Sequence, residues 1–392
     1  MTKNIFIPTL ILSMGALMSF ESKAANDVSM ATWTAVGIGG VNLKAKQGLS
    51  DQAPVAVYDD PPEPQRGHIK SLAVYKDELY AGGLFDTAGG VNVSNIAKWN
   101  GEKWSAVGDA STEVIWAMQV FKDELYASGR WKKLGNLTEQ GLAKWDGKSW
   151  TPVGKGVGAN VGIELMAVFG NELIIAGLLD DVAGVKVKNI AKWNTKSWSA
   201  LGKGLPNDPM ALSEFQNELY AGGTYLDVNK KLDNLFKWNG KSWKGVASFD
   251  SAVFKLSADT KKLYAVGNKD EIAGGIAQYD GKSWSAVGGG LAGIQGRTKD
   301  RLSVLAVINR VLFAGGNFPM QGSNNNRSST AKWDGKKWTE IGKGIVGTVS
   351  AYAMYKNQLY AAGSFYVPNV DPKNSLAQGN IAVLKVDEKS AQ

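Results

Sequence analysis

The sequence predicts an all-β fold, a seven-bladed β-propeller, and three observations lead to that prediction. A motif of Leu, an aromatic or aliphatic residue, two mostly small residues and Gly occurs seven times along the 392 residues. Its leading leucines follow one another at intervals of 44 to 49 residues, a period typical of propeller blades. Short strand-like runs and polar turns surround every copy. The leucines are Leu79, Leu125, Leu173, Leu219, Leu263, Leu312 and Leu359.

Each repeat is expected to hold four antiparallel strands. The first is an apolar run such as residues 115–121, and a short polar turn leads from it into the Leu motif. A longer, variable connection precedes the third strand. An Asn-Gly or Asp-Gly pair then predicts a type I′ hairpin, because both central residues of that turn need positive φ. The third repeat has Asn194-Thr195 instead, and a different turn is expected there. The fourth strand reads Trp-Ser-Ala-Val-Gly or a variant.

The two ends of the chain are predicted to meet in the seventh blade. Residues 33–37 repeat the fourth-strand sequence of residues 104–108, yet they precede the first complete repeat. The last repeat has no fourth strand of its own. We therefore expect residues 32–37 to complete blade 7 and close the ring, which removes an open sheet edge. Residues 25–392 then form a single domain with an insertion at residues 42–67.

The N-terminus predicts export. Lys3 precedes an apolar run at residues 5–20, and small residues at positions 22 and 24 favour cleavage after Ala24. Residues 1–24 are therefore expected to be a signal peptide, and the protein to be secreted or periplasmic, monomeric and without a membrane span. The chain has no Cys, so neither disulfides nor a lipoprotein anchor is expected. The formal net charge of +8 is a mild excess of lysines that recur in turns, and no nucleic acid partner is predicted.

The residue inventory excludes several chemistries. A single histidine, His68, and no cysteine leave no zinc site of the His/Cys type. A Ser-His-Asp triad would have to use that histidine, which is expected in a loop. No metal, cofactor or catalytic residue is predicted. Hydrolysis by paired carboxylates stays open, because such carboxylates need no fixed spacing in the sequence.

An aromatic residue followed five positions later by Trp recurs in the third and fourth strands. Trp99 and Trp104 are one pair, and residues 279–284, Tyr-Asp-Gly-Lys-Ser-Trp, come nearest to the Tyr-Asp…Trp form of kelch repeats. The sequence thus resembles kelch-like secreted β-propellers, including exported propellers of bacteria and those of fungal cell-cortex polarity markers, over about residues 32–387. The resemblance implies the propeller fold and an interaction role, and it carries over no catalytic residue. The recurrent tryptophans are expected to pack between blades.

Loop length predicts which face binds a ligand. The short turns share one face of the disc, and the long, dissimilar connections share the other, where function is expected to concentrate. The residue at the start of each first strand varies in kind between repeats, so we place it at the mouth of the central channel on the long-loop face. Side chains that only plug the channel are the alternative. The candidate ligand-binding residues are Lys70, Trp116, Glu164 and Phe254 at the mouth, and Trp131, Arg297 and Arg301 on the surrounding loops.

Two functions remain open. The first is an exported binding or scaffold protein that recognises a protein or glycan through its long-loop face. The second is an extracellular hydrolase or lyase acting on polysaccharide with carboxylates at the channel mouth. A flat mouth lined by Met, Phe and Trp would favour binding, whereas a cluster of two or three acids with Arg or Tyr at the mouth would favour the enzyme.

Overall fold

The computed structural model is a seven-bladed β-propeller. Seven four-stranded antiparallel sheets form a ring, and the described residues contain no helix. Each innermost strand contacts the innermost strands of both neighbouring blades, and that of blade 1 contacts that of blade 7. The described residues are 32–36, 41–42, 67–138, 141–158, 162–224, 233–249, 252–267, 275–289, 291, 301–319, 327–342, 345–367 and 380–385.

In blades 1 to 6 the chain runs from the axis to the rim. The innermost strands, from blade 1 to blade 7, are His68–Tyr75, Ala110–Phe121, Gly162–Phe169, Pro209–Phe215, Lys255–Ala258, Arg301–Ile308 and Val346–Tyr355. The second strands are Glu78–Leu84, Glu124–Leu134, Glu172–Leu178, Glu218–Gly223, Leu263–Val266, Val311–Pro319 and Gln358–Tyr366. The third strands are Ile96–Trp99, Gly141–Trp145, Ile190–Trp193, Leu235–Trp238, Ile276–Tyr279, Arg327–Trp333 and Ile381–Lys385. The outermost strands are Trp104–Ala106, Trp150–Pro152, Trp198–Ala200, Trp243–Ala247, Trp284–Ala286, Trp338–Glu340 and, in blade 7, Thr32–Ala35.

Among the described residues, two connections between second and third strands carry small hairpins of their own. In blade 3, Asp181–Val182 pairs with Val185–Lys186. In blade 1, Thr87–Ala88 pairs with Val91–Asn92 and also with Val41–Asn42. The predicted signal peptide, residues 1–24, and residues 43–66 of the predicted insertion lie outside the described residues. No helix in the described part of the chain is long and apolar enough to cross a membrane.

The N-terminal strand pairs with the C-terminal strand in blade 7, as the sequence predicts. Trp33 lies opposite Leu384 in an antiparallel register. The indole Nε1 of Trp33 donates a hydrogen bond of 2.7 Å to the carbonyl of Ile341 in blade 6. On the other side, Trp104 of blade 1 donates a 3.1 Å hydrogen bond to the carbonyl of Val36. The strand is therefore fixed to both neighbouring blades, and its necessity for a closed ring stays a prediction.

The recurrent tryptophans pack in the interior, as predicted. The aromatic pairs of the third and outermost strands have ring centroids 5.0 to 5.6 Å apart, of which Trp99 and Trp104 are one. The indole of Trp150 donates to the carbonyl of Val107 in the preceding blade, at 3.1 Å. The outermost Trp residues of blades 1, 6 and 7 make the same hydrogen bond to the blade before them.

The tight turns correct the predicted turn types. The four-residue turn at residues 100–103 has positive φ only at Gly101, because the Asn100 side chain accepts hydrogen bonds from the amides of residues 102 and 103. The type I′ prediction for these turns is therefore wrong, since the Asx hydrogen bonds favour another geometry. Thr195 takes the glycine position with φ of 79°, and Asn194 accepts the same hydrogen bonds. Blade 3 thus uses the common turn, contrary to expectation.

Candidate binding site at the channel mouth

A β-bulge marks the same position on six of the seven innermost strands. At this point the pairing between the innermost and second strands skips one residue. In blade 5, Phe254 holds the equivalent position and directly precedes the strand. A bulged residue is unpaired in the ladder, and a bulge re-aims its side chain. This position is the strand-start column singled out in the sequence. The residues skipped are Lys70, Trp116, Glu164, Met210, Ser303 and Ser350.

The last Gly of the repeated motif makes room for the bulge. A Cβ atom on Gly83 would lie 2.0 Å from the carbonyl oxygen of His68, and one on Gly129 would lie 2.1 Å from that of Val114. Such distances exclude any side chain unless the backbone shifts. The motif that predicts the fold therefore also shapes the channel mouth.

The structure brings four of the predicted site residues to one ring. Lys70, Trp116, Glu164 and Phe254 occupy the bulge column of blades 1, 2, 3 and 5. Lys70 and Glu164 are exposed, Trp116 is half-buried, and the Phe254 side chain is 41% exposed. These side chains are therefore at least partly accessible to solvent.

The three residues predicted on surrounding loops have different outcomes. Trp131 lies within the strand Glu124–Leu134, which continues past the bulge opposite residues 110–114, and its side chain is 0% exposed. The prediction that placed Trp131 on a loop is wrong, because the hairpin extends and turns this indole into the core of blade 2. Arg301 is the first residue of the innermost strand of blade 6, so the prediction of a loop position is wrong for this residue as well. Arg297 lies outside the described residues.

In blade 1, the side chain two positions before the bulge contacts the bulge residue of the preceding blade. His68 Nε2 and Ser350 Oγ, from blades 1 and 7, are 3.2 Å apart in a hydrogen bond. Asp208 in blade 4 holds the position equivalent to His68, and Glu164 in blade 3 is the bulge residue beside it. Burial and, second, the negative charge of Glu164 raise the pKa of Asp208 to about 6. The mouth thus carries a pair of acids from adjacent blades.

Asp208 is a site residue that the sequence reasoning missed. Its Oδ1 atom is buried and has no hydrogen-bond partner among the described residues. Forty-four residues separate it from Glu164. Only an alignment of the repeats together with knowledge of the bulge could have joined the two.

Basic groups complete the electrostatics of the mouth. Burial, with a smaller contribution from Lys70, lowers the pKa of His68 to about 4, so its imidazole is neutral at neutral pH. Burial also lowers the pKa of Lys255 in blade 5, and the negative charge of Glu164 opposes that effect. The acids lie on blades 3 and 4, flanked by Lys255 on blade 5, and Lys70 stands on blade 1. This arrangement suits a ligand with polar groups of both signs.

Large exposed apolar side chains concentrate on the same face. Met210 and Phe254 belong to the bulge column and are 40% and 41% exposed. Leu178, at the end of its strand opposite residue 162, is 70% exposed. Leu84 and Val346 lie at the same ends of their strands and are also exposed. Val74, at the other end of its strand, is an exposed apolar residue nearer the tight turns.

Away from the channel mouth, the described residues form a surface cavity but no metal-type cluster of side chains. Within them, no three His, Cys, Asp or Glu side chains converge as a metal site. A cavity of about 260 Å³ lies at the outer edge of blade 2, and Lys155 is the single charged residue in its lining. The channel mouth is therefore the place where charge, burial and exposed apolar surface coincide.

Comparison with known proteins gives structural neighbours of low sequence identity. No family model matches the sequence, and no curated protein matches it. The chain is similar to the computationally designed Ika8 protein, with 14% identity over 82% of this chain and 96% of that chain and a TM-score of 0.47. It is also similar to YCF48 from Cyanidioschyzon merolae, with 12% identity, the same coverage and a TM-score of 0.47. A structure of YCF48 bound to D1 peptide matches 92% of this chain and 97% of its own, with 14% identity and a TM-score of 0.48.

Proposed function

We propose that this β-propeller is an exported binding protein that recognises a protein or a glycan through the mouth of its channel. The observation that carries the proposal is the concentration of exposed apolar side chains, among them Leu178, Met210 and Phe254, on the long-loop face. Exposed apolar patches rimmed by polar groups are typical of interaction sites. Aromatic residues and Met are enriched at protein interfaces, which favours a protein partner over a glycan.

The bulge geometry supports a binding role at the same place. The bulge residues are released from ladder pairing, so their side chains can differ from blade to blade without changing the sheet. Lys70, Trp116 and Glu164 supply a cation, a ring and an anion to one rim. A concave rim with a few polar groups among apolar ones is the usual form of a ligand site.

The experiment is a pull-down and a glycan array with the purified protein, followed by substitution of the mouth. Lys70→Ala, Trp116→Ala and Glu164→Ala should each weaken binding at least tenfold, about 1.4 kcal/mol. Val74→Ser is the matched control for Phe254→Ser, because both side chains are apolar and about 40% exposed but lie at opposite ends of the channel. If Val74→Ser abolishes binding while the mouth variants bind normally, the proposed face is wrong.

A second function, a hydrolase or lyase acting on an extracellular polysaccharide, is favoured by one observation. Asp208 and Glu164 lie on adjacent blades, and the raised pKa of Asp208 suits a general acid near neutral pH. Turnover of a polysaccharide panel that is lost in both Asp208→Asn and Glu164→Gln would establish the enzyme. Binding without turnover would favour the first function.

The proposal also includes the cellular location and the family resemblance predicted from the sequence. We place the protein outside the cytoplasm, in the periplasm or secreted, as a monomer released by cleavage after Ala24. Among propellers we assign it to the kelch-like group, on the Tyr279 to Trp284 sequence and its counterparts. Mass spectrometry of protein from a secreting host should find Ala25 at the N-terminus, and full-length protein in the cytoplasm would contradict export.

A further inference from the structure

Three charged groups on consecutive blades lie at or beside the bulge column without direct contact. Glu164, Asp208 and Lys255 come from blades 3, 4 and 5, and the charge of Glu164 acts on both of the others. No ion pair within 4.0 Å joins any of the three to another of the described residues. Lys255 is half-buried at the start of the innermost strand of blade 5, and burial lowers its pKa. The Oδ1 atom of Asp208 is buried and lacks a donor in that part of the chain.

This arrangement costs folding free energy in the absence of a ligand. A buried oxygen without a hydrogen-bond partner costs about 1–3 kcal/mol. Glu164 adds repulsion to the same carboxylate, and the Lys255 ammonium has no contacting anion to offset its burial. Strongly perturbed groups that cluster in a concave site are typical of functional sites, where a ligand supplies the missing partners.

We propose that the mouth binds a ligand that carries an ammonium group and a carboxylate group in one molecule. The ammonium donates hydrogen bonds to Asp208 and Glu164, and the carboxylate accepts from the Lys255 ammonium. The exposed side chains of Met210 and Phe254, on blades 4 and 5, contact the carbon chain between the two charged groups. This inference rests on the proposed function and names the chemical class of its ligand.

A ligand with a single charge fits the cluster less well. A simple amine would satisfy the two carboxylates but would place a second cation near Lys255. A simple carboxylate would satisfy Lys255 but would leave Asp208 without a donor and add a third anion. A ligand with both charges satisfies all three groups. Such chemistry is found in a free amino acid and in a peptide segment with adjacent lysine and acidic side chains.

The test is isothermal titration calorimetry of the purified protein with ω-amino acids of increasing length, from glycine to 6-aminohexanoate. Amines and carboxylates of matched length are the single-charge probes, and the capped dipeptide acetyl-Lys-Asp-amide represents the peptide source. At least one ω-amino acid or the dipeptide should bind tenfold more tightly than its matched amine and its matched carboxylate. Tight binding by the dipeptide alone would identify a peptide as the source, and tight binding by an ω-amino acid alone a free amino acid.

Variants locate the two contacts. Asp208→Asn should lower affinity to that of the matched carboxylate, and Lys255→Met should lower it to that of the matched amine. Glu214→Gln is the control, because Glu214 is an exposed carboxylate at the other end of the strand that starts beside Asp208. Equal binding of an amine and its ω-amino acid would overturn the inference, as would unchanged affinity in both Asp208→Asn and Lys255→Met.

The outcome is distinguishable from failure of the proposed function. If no ω-amino acid or dipeptide binds, while a partner from the pull-down is lost in Lys70→Ala and Trp116→Ala, the ligand class is wrong and the binding face stands. If the partner binds normally to those mouth variants, both the ligand class and the face are wrong.

Discussion

Replacing Asp208 by Asn should stabilise the protein at neutral pH. The pKa of this carboxyl is raised from its ordinary 3.8 to about 6, first by burial and then by Glu164. Each pKa unit corresponds to about 1.4 kcal/mol, so full burial would make the ionised carboxylate cost about 3 kcal/mol. Because the side chain is only partly buried, screening by solvent reduces the expected gain in Asp208→Asn to about 1 kcal/mol. The amide has nearly the same shape, so packing is unchanged.

The gain must depend on pH with a definite sign. In the folded state the raised pKa makes the carboxyl bind its proton more tightly than in the unfolded state. The native protein therefore loses stability as pH rises from about 4 to about 6, and Asp208→Asn lacks this loss. The difference in unfolding free energy between the variant and the native protein should be near zero at pH 4 and reach its plateau above pH 6.

Urea denaturation at pH 4, 5, 6, 7 and 8 measures this difference. Glu214→Gln removes an exposed carboxylate from the same strand, and its effect should stay within about 0.5 kcal/mol at every pH. A variant Asp208→Asn that is less stable than the native protein at pH 7, or a difference that does not change with pH, would refute the reasoning. A gain in stability together with a loss of binding would mark Asp208 as a residue kept for function.

Three further predictions concern the frame around the mouth. Trp33→Ala removes a buried indole and its hydrogen bond to Ile341, so the free energy of unfolding measured in urea should fall by about 3–5 kcal/mol. An unchanged urea midpoint would contradict the role of Trp33 in the ring. Gly83→Ala places a Cβ atom 2.0 Å from the carbonyl oxygen of His68, so the bulge at Lys70 must shift. Amide hydrogen exchange at the bulge should therefore become faster. Exchange as slow as in the native protein would contradict the packing argument. Burial lowers the pKa of His68 from 6.5 to about 4. The free energy of unfolding should therefore fall by up to about 3 kcal/mol as pH falls from 6.5 to 4. An NMR titration that gives a pKa near 6.5 for His68 would contradict its burial.

The repeat made the blades predictable, because each blade is a local unit. The strand order, the recurring Trp contacts and the pairing of residues 32–35 with the last strand follow from short sequence patterns that recur at one period. Two turn predictions failed for a physical reason. The Asn or Asp side chain of the outer hairpins bonds to backbone amides, as Asn100 does, and this bond outweighs the preference of an Asn-Gly pair for type I′ geometry.

The sequence predicted which strand position forms the site, but it did not predict which charged groups meet there. The varied residues at the strand start, such as Lys70 and Glu164, indicated a position free of packing constraints. The β-bulge that frees this position is a register shift between two paired strands. The sequence of one strand alone does not show such a shift. Asp208 belongs to another column and comes near Glu164 only because blades 3 and 4 are neighbours in the ring. Trp131 gave no signal of burial, because the strand continues beyond the length that the other repeats suggest.

The bulge should allow a residue to contribute to binding without contributing to the stability of the fold. Two adjacent residues in blade 1 allow a test of this expectation. Ile69 precedes the bulge and is 0% exposed, packed in the core near blade 7, whereas Lys70 at the bulge is exposed. Ile69→Ala should cost about 2–5 kcal/mol of unfolding free energy, because it leaves a cavity between packed blades. Lys70→Ala should change the unfolding free energy by less than about 0.5 kcal/mol while weakening binding of the partner. Comparable losses of stability in the two variants would mean that Lys70 belongs to the packed frame, and the mouth would then lack the freedom that a binding site needs.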